Sequence, residues 1–220
     1  MMSDDLLEIR DNRDAWTEKL SAAALVQHGR LVEDSAAILA CLPAIMARSP
    51  FRHLYTPGGH RMSVAMSNCG RLGWVSDRRG YRYQGTDPLS GQPWPAMPRT
   101  FHALARELAG EAGYPDFDPD VCLINRYEPG TRLSLHQDKH ERCPEAPIVS
   151  FSFGLPAVFL WGGDKRSDKV SKHSLRHGDV AIWGGVDRFR FHGVAPLADG
   201  EHRALGRQRI NLTFRQTGLS

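Results

Sequence analysis

From about residue 120 onward the chain is a succession of short apolar runs cut by turn residues: VCLINRY, IVSFSFG, AVFLWG, DVAIWGG, FRFHGV and RINLTFR. β-branched and aromatic side chains fill these runs, and Glu-Pro-Gly, Gly-Gly and Asp-Gly lie at or near the breaks. Many short strands at such spacing predict a sandwich, jelly roll or barrel. A chain of 220 residues has room for one sizeable core and little more. Two segments read instead as helices. EDSAAILACLPAIMARSP should be kinked or restarted by Pro43, and TFHALARELAGEAG has Thr100 as a candidate N-cap and Gly113 as its stop. Region 50–98 holds three strand candidates around HRMSVAMSNCG and is crowded with Gly, Pro, Arg and aromatic residues. It reads as long hairpins and loops attached to the β core.

Bulk composition excludes some classes. The net charge of +3 is too small to argue for nucleic acid by itself, so local clustering would have to make that case. The start, MMSDDLLEIRDNRDAW, lacks the basic end and apolar run of a signal peptide. No apolar stretch approaches the roughly 20 residues that span a bilayer. Cys41, Cys69, Cys122 and Cys143 are scattered, with no Cys-x-x-Cys pair. Such usage argues against a structural zinc site or a disulfide framework and predicts a cytoplasmic protein without membrane attachment.

The stretch LHQDKHERC concentrates polar chemistry. On a strand, His136 and Asp138 project to the same face and offer a metal one imidazole and one carboxylate. A further histidine would complete the 2-His-1-carboxylate triad of non-haem Fe(II) oxygenases. Alone, H-x-D is more often a solvated loop. For the third ligand, His173, His177 and His202 lie in or beside turns, where histidines are usually solvated. His192 instead ends the alternating run RFRFHG, with Phe189 and Phe191 on one face and Arg190 and His192 on the other, and is the best candidate.

In RINLTFR, Arg209, Asn211, Thr213 and Arg215 share one face, and Ile210, Leu212 and Phe214 the other. The row is either an edge strand with its polar side in water or the wall of an anion pocket, because buried arginines need anionic partners. Asn125 and Tyr127 form a second polar row just upstream of His136. Together the rows could hold a small dicarboxylate, with arginine forks for its carboxylates. A third feature is GRLGWVSDRRGYRYQG, where Arg71, Arg78, Arg79 and Arg82 interleave with Trp74, Tyr81 and Tyr83. Cations for phosphates alternating with rings for stacking suit single-stranded nucleic acid. An exposed arginine-rich hairpin with its rings packed on the body is the plain alternative.

The order H-x-D, then His, then R-x-N-x-T-F-R resembles the AlkB family of oxidative dealkylation enzymes. The likeness runs from about residue 50 to the C-terminus through SPFR, TPGG, MSVAMSNCG, LGW, PWPAMP, AGYPDF, CLINRY, LSLHQDK, GLPAVF, HGDVAIWGG and NLTFRQ. It implies a mainly β fold with flanking helices, a double-stranded β-helix (jelly roll) carrying a nucleotide-recognition lid. The implied layout is an N-terminal extension, 1–32, with no recognisable match, then a single dioxygenase domain, 33–220, whose lid is roughly 50–98. By the same resemblance, iron would be held by His136, Asp138 and His192, and 2-oxoglutarate by Asn125, Tyr127, Arg209, Asn211 and Arg215. With O₂, 2-oxoglutarate would be decarboxylated to succinate while an N-alkyl group on a nucleobase is hydroxylated, leaving a hemiaminal that releases an aldehyde.

The implied substrate is alkylated single-stranded DNA bearing 1-methyladenine or 3-methylcytosine type lesions, with duplex DNA and RNA left open, acted on by a monomer. Trp74 would stack on the flipped base, the Tyr81, Arg82 and Tyr83 stretch would contact the substrate backbone, and Arg166 and Glu141 match further substrate-side positions. His140 stands where similar bacterial members carry an acidic residue, and an imidazole both donates and accepts hydrogen bonds. Base preference is therefore expected to be shifted and pH-sensitive. The rival readings are a 2-oxoglutarate dioxygenase acting on a protein or small molecule, and a jelly-roll binding module without turnover.

Overall fold

Residues 15–219 are described by this computed structural model. In chain order they form β1 (Trp16–Ser21), β2 (Ala24–His28), α1 (Ser35–Ala40), α2 (Leu42–Arg48), β3 (Arg52–Tyr55), β4 (Arg61–Gly70), β5 (Gly73–Asp77) and β6 (Gly80–Gln84). Then follow α3 (Arg99–Glu111), β7 (Val121–Tyr127), β8 (Leu133–His136), β9 (Ile148–Gly154), β10 (Ala157–Trp161), β11 (Ser171–Leu175), β12 (Val180–Trp183), β13 (His192–Val194) and β14 (Arg209–Arg215). The strands make an antiparallel eight-stranded sheet, β1-β2-β12-β9-β14-β7-β4-β3, a four-stranded sheet, β11-β10-β13-β8, and a separate hairpin, β5-β6. The expected jelly roll is borne out.

Alternation in β14 shows how the layers are held. Ile210, Leu212 and Phe214 pack with Ile38, Ile45, Phe101 and Leu108 of the helices on one face of the large sheet. The other face carries the polar row, yet all of β14 is buried. Its polar side therefore faces the protein interior and not water. Phe159 and Trp161 of β10 meet Ile148 and Trp183 of the large sheet in a second cluster between the layers. Each buried aromatic ring here contributes on the order of 3–5 kcal/mol, judged by truncation to alanine. α3 buries Phe101, Ala105, Leu108 and Ala109 at helical spacing.

Several expectations need correction. Residues 16–28, assigned to an extension, form β1 and β2, and β2 pairs with β12 in the large sheet, so the domain begins well before residue 33. Residues 1–14 of that extension lie outside the described residues. Within 50–98, read as hairpins and loops attached to the β core, β4 pairs with β7 and β3 with β4 as strands of the large sheet. Only β5-β6 stands apart. The first helix does restart at Pro43, as α2. Thr100 lies inside α3, whose N-cap is Pro98, while Gly113 ends it at φ +93°. RFRFHG is strand only from His192, since a one-turn 3-10 helix (Gly185–Asp187) and the loop after it occupy the preceding residues. No helix among the described residues is long and apolar enough to cross a membrane.

Candidate active site

β8 and β13 are neighbours in the small sheet, and their register sets His136 opposite His192. Gly193 makes that approach possible: a Cβ there would lie 2.7 Å from the Leu133 carbonyl oxygen. Gly193→Ala is therefore expected to splay the two strands and weaken metal binding about 10- to 100-fold, the range typical of disturbed support around ligands. Titration with Mn(II) measures this.

Asp138 lies two residues beyond the end of β8, and its carboxylate still reaches both imidazoles. His136 Nε2 is 3.8 Å from Oδ1, and His192 Nε2 is 3.8 Å from Oδ2. Those gaps are too long for hydrogen bonds and suit side chains arranged around a shared cation. One donor atom from each of the three falls within 4.8 Å of the others. Both rings are oriented from behind, His136 Nδ1 against the Ser134 carbonyl at 2.8 Å and His192 Nδ1 against the Arg190 carbonyl at 3.0 Å. Since a carbonyl can only accept, each Nδ1 carries the proton and each Nε2 is left as a bare donor. Burial, then the neighbouring His136, push the His192 imidazole down to about 3, which keeps it neutral and able to ligate. Burial alone would raise the Asp138 carboxyl, but Arg215, then His192 and His136, hold it well below the usual carboxylate range.

The polar row of β14 lies beside this cluster. Arg215 donates from Nη2 at 2.8 Å and from Nε at 3.2 Å to Asp138 Oδ2. Tyr127 is the register partner of Arg209, and Asn125 that of Asn211. The Arg209 guanidinium lies over the Tyr127 ring at 4.9 Å and donates to Ser152 Oγ at 3.0 Å. Burial pushes the Tyr127 phenol up to about 12, so it stays protonated as a donor. Asn211 donates to Ser150 Oγ at 2.7 Å, and its own carbonyl accepts from Thr213 Oγ1 at 2.9 Å and Asn125 Nδ2 at 3.2 Å. Ser150 and Ser152 escaped the sequence reading, although the alternation in IVSFSFG puts both on one face.

Arg209 Nε and Nη1, Arg215 Nη1 and Asn125 Oδ1 are buried without a hydrogen-bond partner among the described residues. Leaving such groups unmet is costly, and unpaired guanidinium donors on both arginines fit an anion with two carboxylate ends. These residues open onto one cavity of about 850 Å³ that also contains His136, Asp138 and His192. Trp74, Tyr81, His140 and Arg166 line the same cavity. Trp74 and Tyr81 stack at 5.6 Å, and Tyr81 meets His140 at 5.6 Å. Asn68 fixes Trp74 by bonding its backbone on both sides, at 2.9 and 3.0 Å.

Other sequence candidates lie elsewhere. Arg82 is turned to Asp77, 2.9 Å away, and does not line the cavity. Tyr83 and Glu141 also stand behind the cavity wall, where the Tyr83 hydroxyl donates to Glu141. Arg71 is drawn to Asp120 at 2.6 Å. The turn histidines are not simply solvated: His177 is buried and stacks on His202 at 4.5 Å, and His173 bonds Glu18 at 2.7 Å. Arg188 was missed altogether. It is 1% exposed and donates to the carbonyls of Asp138 and Ala146 and to Glu141.

A jelly roll whose two histidines and carboxylate share a cavity with two buried arginines defines an iron- and 2-oxoglutarate-dependent dioxygenase. Comparison with known proteins agrees. Residues 25–215 match the 2OG-Fe(II) oxygenase superfamily. The chain is 49% identical to the alpha-ketoglutarate-dependent dioxygenase AlkB of Escherichia coli (strain K12), covering 97% of this chain and 99% of that one. It is 42% identical to the AlkB homolog of Caulobacter vibrioides (strain NA1000 / CB15N) over 83% of each. The solved structure of OsALKBH1 superposes with a TM-score of 0.79 at 30% identity, covering 90% of this chain and 100% of that one. The chain belongs to the AlkB family of 2OG-Fe(II) oxygenases. Fe(II), 2-oxoglutarate and O₂ are accordingly its metal and co-substrates. The E. coli match spans 97% of the chain, so the likeness extends into the first thirty residues, where no match was expected.

Proposed function

We propose that the protein removes alkyl groups from nucleobases by direct oxidation, acting on lesions of the 1-methyladenine and 3-methylcytosine type in single-stranded DNA. The observation that carries this reading is the shared cavity, which Trp74 and Tyr81 line together with His136, Asp138 and His192. Those two histidines and Asp138 would hold iron. Arg209 and Arg215 would pair the two carboxylates of 2-oxoglutarate, with Asn125, Tyr127 and Asn211 hydrogen-bonding its oxygens. The loaded metal supplies oxidising power for hydroxylating the N-alkyl group, coupled to decarboxylation of the oxoacid to succinate.

The chain's own residues position the reactants. Trp74 stacks on a flipped base, His140 meets its polar edge, and exposed Arg166, set over the Phe191 ring at 5.2 Å, reaches toward the neighbouring backbone. The hydroxylated carbon is a hemiaminal, which collapses by C–N cleavage to an aldehyde and the unmodified base, still attached to its strand. Single strands are favoured because they avoid the cost of unstacking a paired base. The domain runs from β1 to the C-terminus, with β5-β6 as its nucleotide lid, and acts as a cytoplasmic monomer. The test compares single-stranded, duplex and RNA oligonucleotides carrying one methylated base, with methyl loss followed by mass spectrometry. Faster loss from the single strand is expected, and equal or absent loss on all three would contradict the reading.

His140 should tune the choice of base. The wild type and His140→Asp are expected to differ several-fold in their ratio of rates on methylated adenine and cytosine. Superimposable profiles would rule this out.

A further inference from the structure

Hairpin β5-β6 hydrogen-bonds as a sheet only to itself, so side chains fix its seat on the body. Ser76 Oγ donates to the Tyr55 carbonyl at 2.6 Å, Trp94 Nε1 donates to the Gln84 carbonyl at 2.8 Å, and Asn68 clamps Trp74. One more tie reaches inward, from the Tyr83 hydroxyl to Glu141 Oε1. The Glu141 side chain is 3% exposed, and its other oxygen accepts from Arg188 Nη2 at 3.0 Å. Arg215 Nε lies 3.6 Å from Glu141 Oε1 while also bonding the Asp138 carboxylate. Arg188 in turn holds the Asp138 carbonyl at 2.5 Å.

We propose that Glu141 is a positioning residue that couples seating of the nucleotide lid to the metal and oxoacid groups, with Tyr83 as the sensor on the lid. This rests on the dioxygenase reading above. It follows from competition for one guanidinium. With the hairpin seated, the Tyr83 hydroxyl and Arg188 satisfy Glu141, and Arg215 is free to hold Asp138 and present its unpaired Nη1 to the co-substrate. When the hairpin lifts, Glu141 loses its hydroxyl donor and draws Arg215 away from Asp138. Both carboxylates and both arginines are buried, where water screens such a shift poorly. Co-substrate turnover therefore rises when a nucleotide holds the lid down. Trp74 and Tyr81, on the same hairpin, are the rings that a bound base would hold in place.

The test uses the full chain and Tyr83→Phe, which keeps the ring and removes only the hydroxyl. Mn(II) and 2-oxoglutarate binding are followed by tryptophan fluorescence, since Trp183 lies 4.8 Å from the His192 ring. Oligonucleotide affinity is measured by anisotropy, and succinate release with Fe(II) is measured with and without a methylated single strand. In Tyr83→Phe the stimulation of succinate release by the oligonucleotide is expected to fall about tenfold, the order of one charge-assisted hydrogen bond. Mn(II) and oligonucleotide affinities should stay within about threefold of wild type. Glu141→Gln should raise the KM for 2-oxoglutarate about tenfold by removing the charge that Arg188 and Arg215 share.

Full stimulation in Tyr83→Phe would overturn the coupling. So would a loss of stimulation matched by an equal loss of oligonucleotide affinity, which would make Tyr83 a binding residue only. If the wild type failed to bind Mn(II) with 2-oxoglutarate, the dioxygenase reading itself would fail, and that outcome is separate from failure in the variants alone.

Discussion

Asp138→Asn is expected to lower metal affinity by more than about 100-fold and to bring turnover to background, because the ligand loses its charge while keeping its shape. The same change reaches Arg215. Both of that guanidinium's bonds to Asp138 end on Oδ2, and the two side chains are 6% and 10% exposed. Removing one charge of a buried pair typically costs about 3–5 kcal/mol. Glu141, 3.6 Å from Arg215, offsets part of this, so a loss of about 2–3 kcal/mol in urea unfolding is the expected result. Mn(II) titration and unfolding of the metal-free protein measure the two effects separately. His177→Ala is the control: His177 lies outside the iron cluster, and metal binding should survive. An Asp138→Asn protein that bound Mn(II) like the wild type would remove the carboxylate from the site.

Arg209→Met should separate function from stability. Arg209 is 1% exposed and donates to Ser152 Oγ, while its Nε and Nη1 have no hydrogen-bond partner among the described residues. Burial lowers its pKa, as it must for a cation held without a full set of partners. Methionine fills similar volume without that desolvation cost, so the metal-free protein is expected to become as stable or up to about 3 kcal/mol more stable. Affinity for 2-oxoglutarate should fall at least about 100-fold, the order of a lost bidentate pair with a carboxylate. Calorimetry with 2-oxoglutarate and Mn(II), beside thermal unfolding, reads both quantities. A variant that loses stability and keeps the oxoacid would mean that Arg209 serves the fold and not the ligand.

The residues that proved legible in the sequence are those whose strand pattern reports two faces at once. Alternation in RINLTFR separates Arg209, Asn211 and Arg215 from Ile210, Leu212 and Phe214, and the fold uses both sets as that pattern requires. His136 and Asp138 were visible as a pair for the same reason, although Asp138 reaches the site from just past the strand. β1 and β2 were not legible, because what makes them part of the domain is pairing with β12, more than a hundred residues later. Arg188 follows a one-turn 3-10 helix, where no period marks which side chains turn inward. β4 read as part of a loop-rich region because it carries glycine, methionine and polar residues at its ends. Its place in the large sheet is fixed by register with β7, which composition does not reveal.

The most direct test of the central claim is the stoichiometry of one reaction. The wild-type protein is incubated with Fe(II), 2-oxoglutarate and O₂ together with a single-stranded oligonucleotide bearing 1-methyladenine. Succinate, formaldehyde and unmodified base are then quantified together. The account predicts that all three appear in equal amounts and that none forms without the metal or the oxoacid. Succinate release that no methylated base stimulates, with the oligonucleotide recovered unchanged, would contradict it.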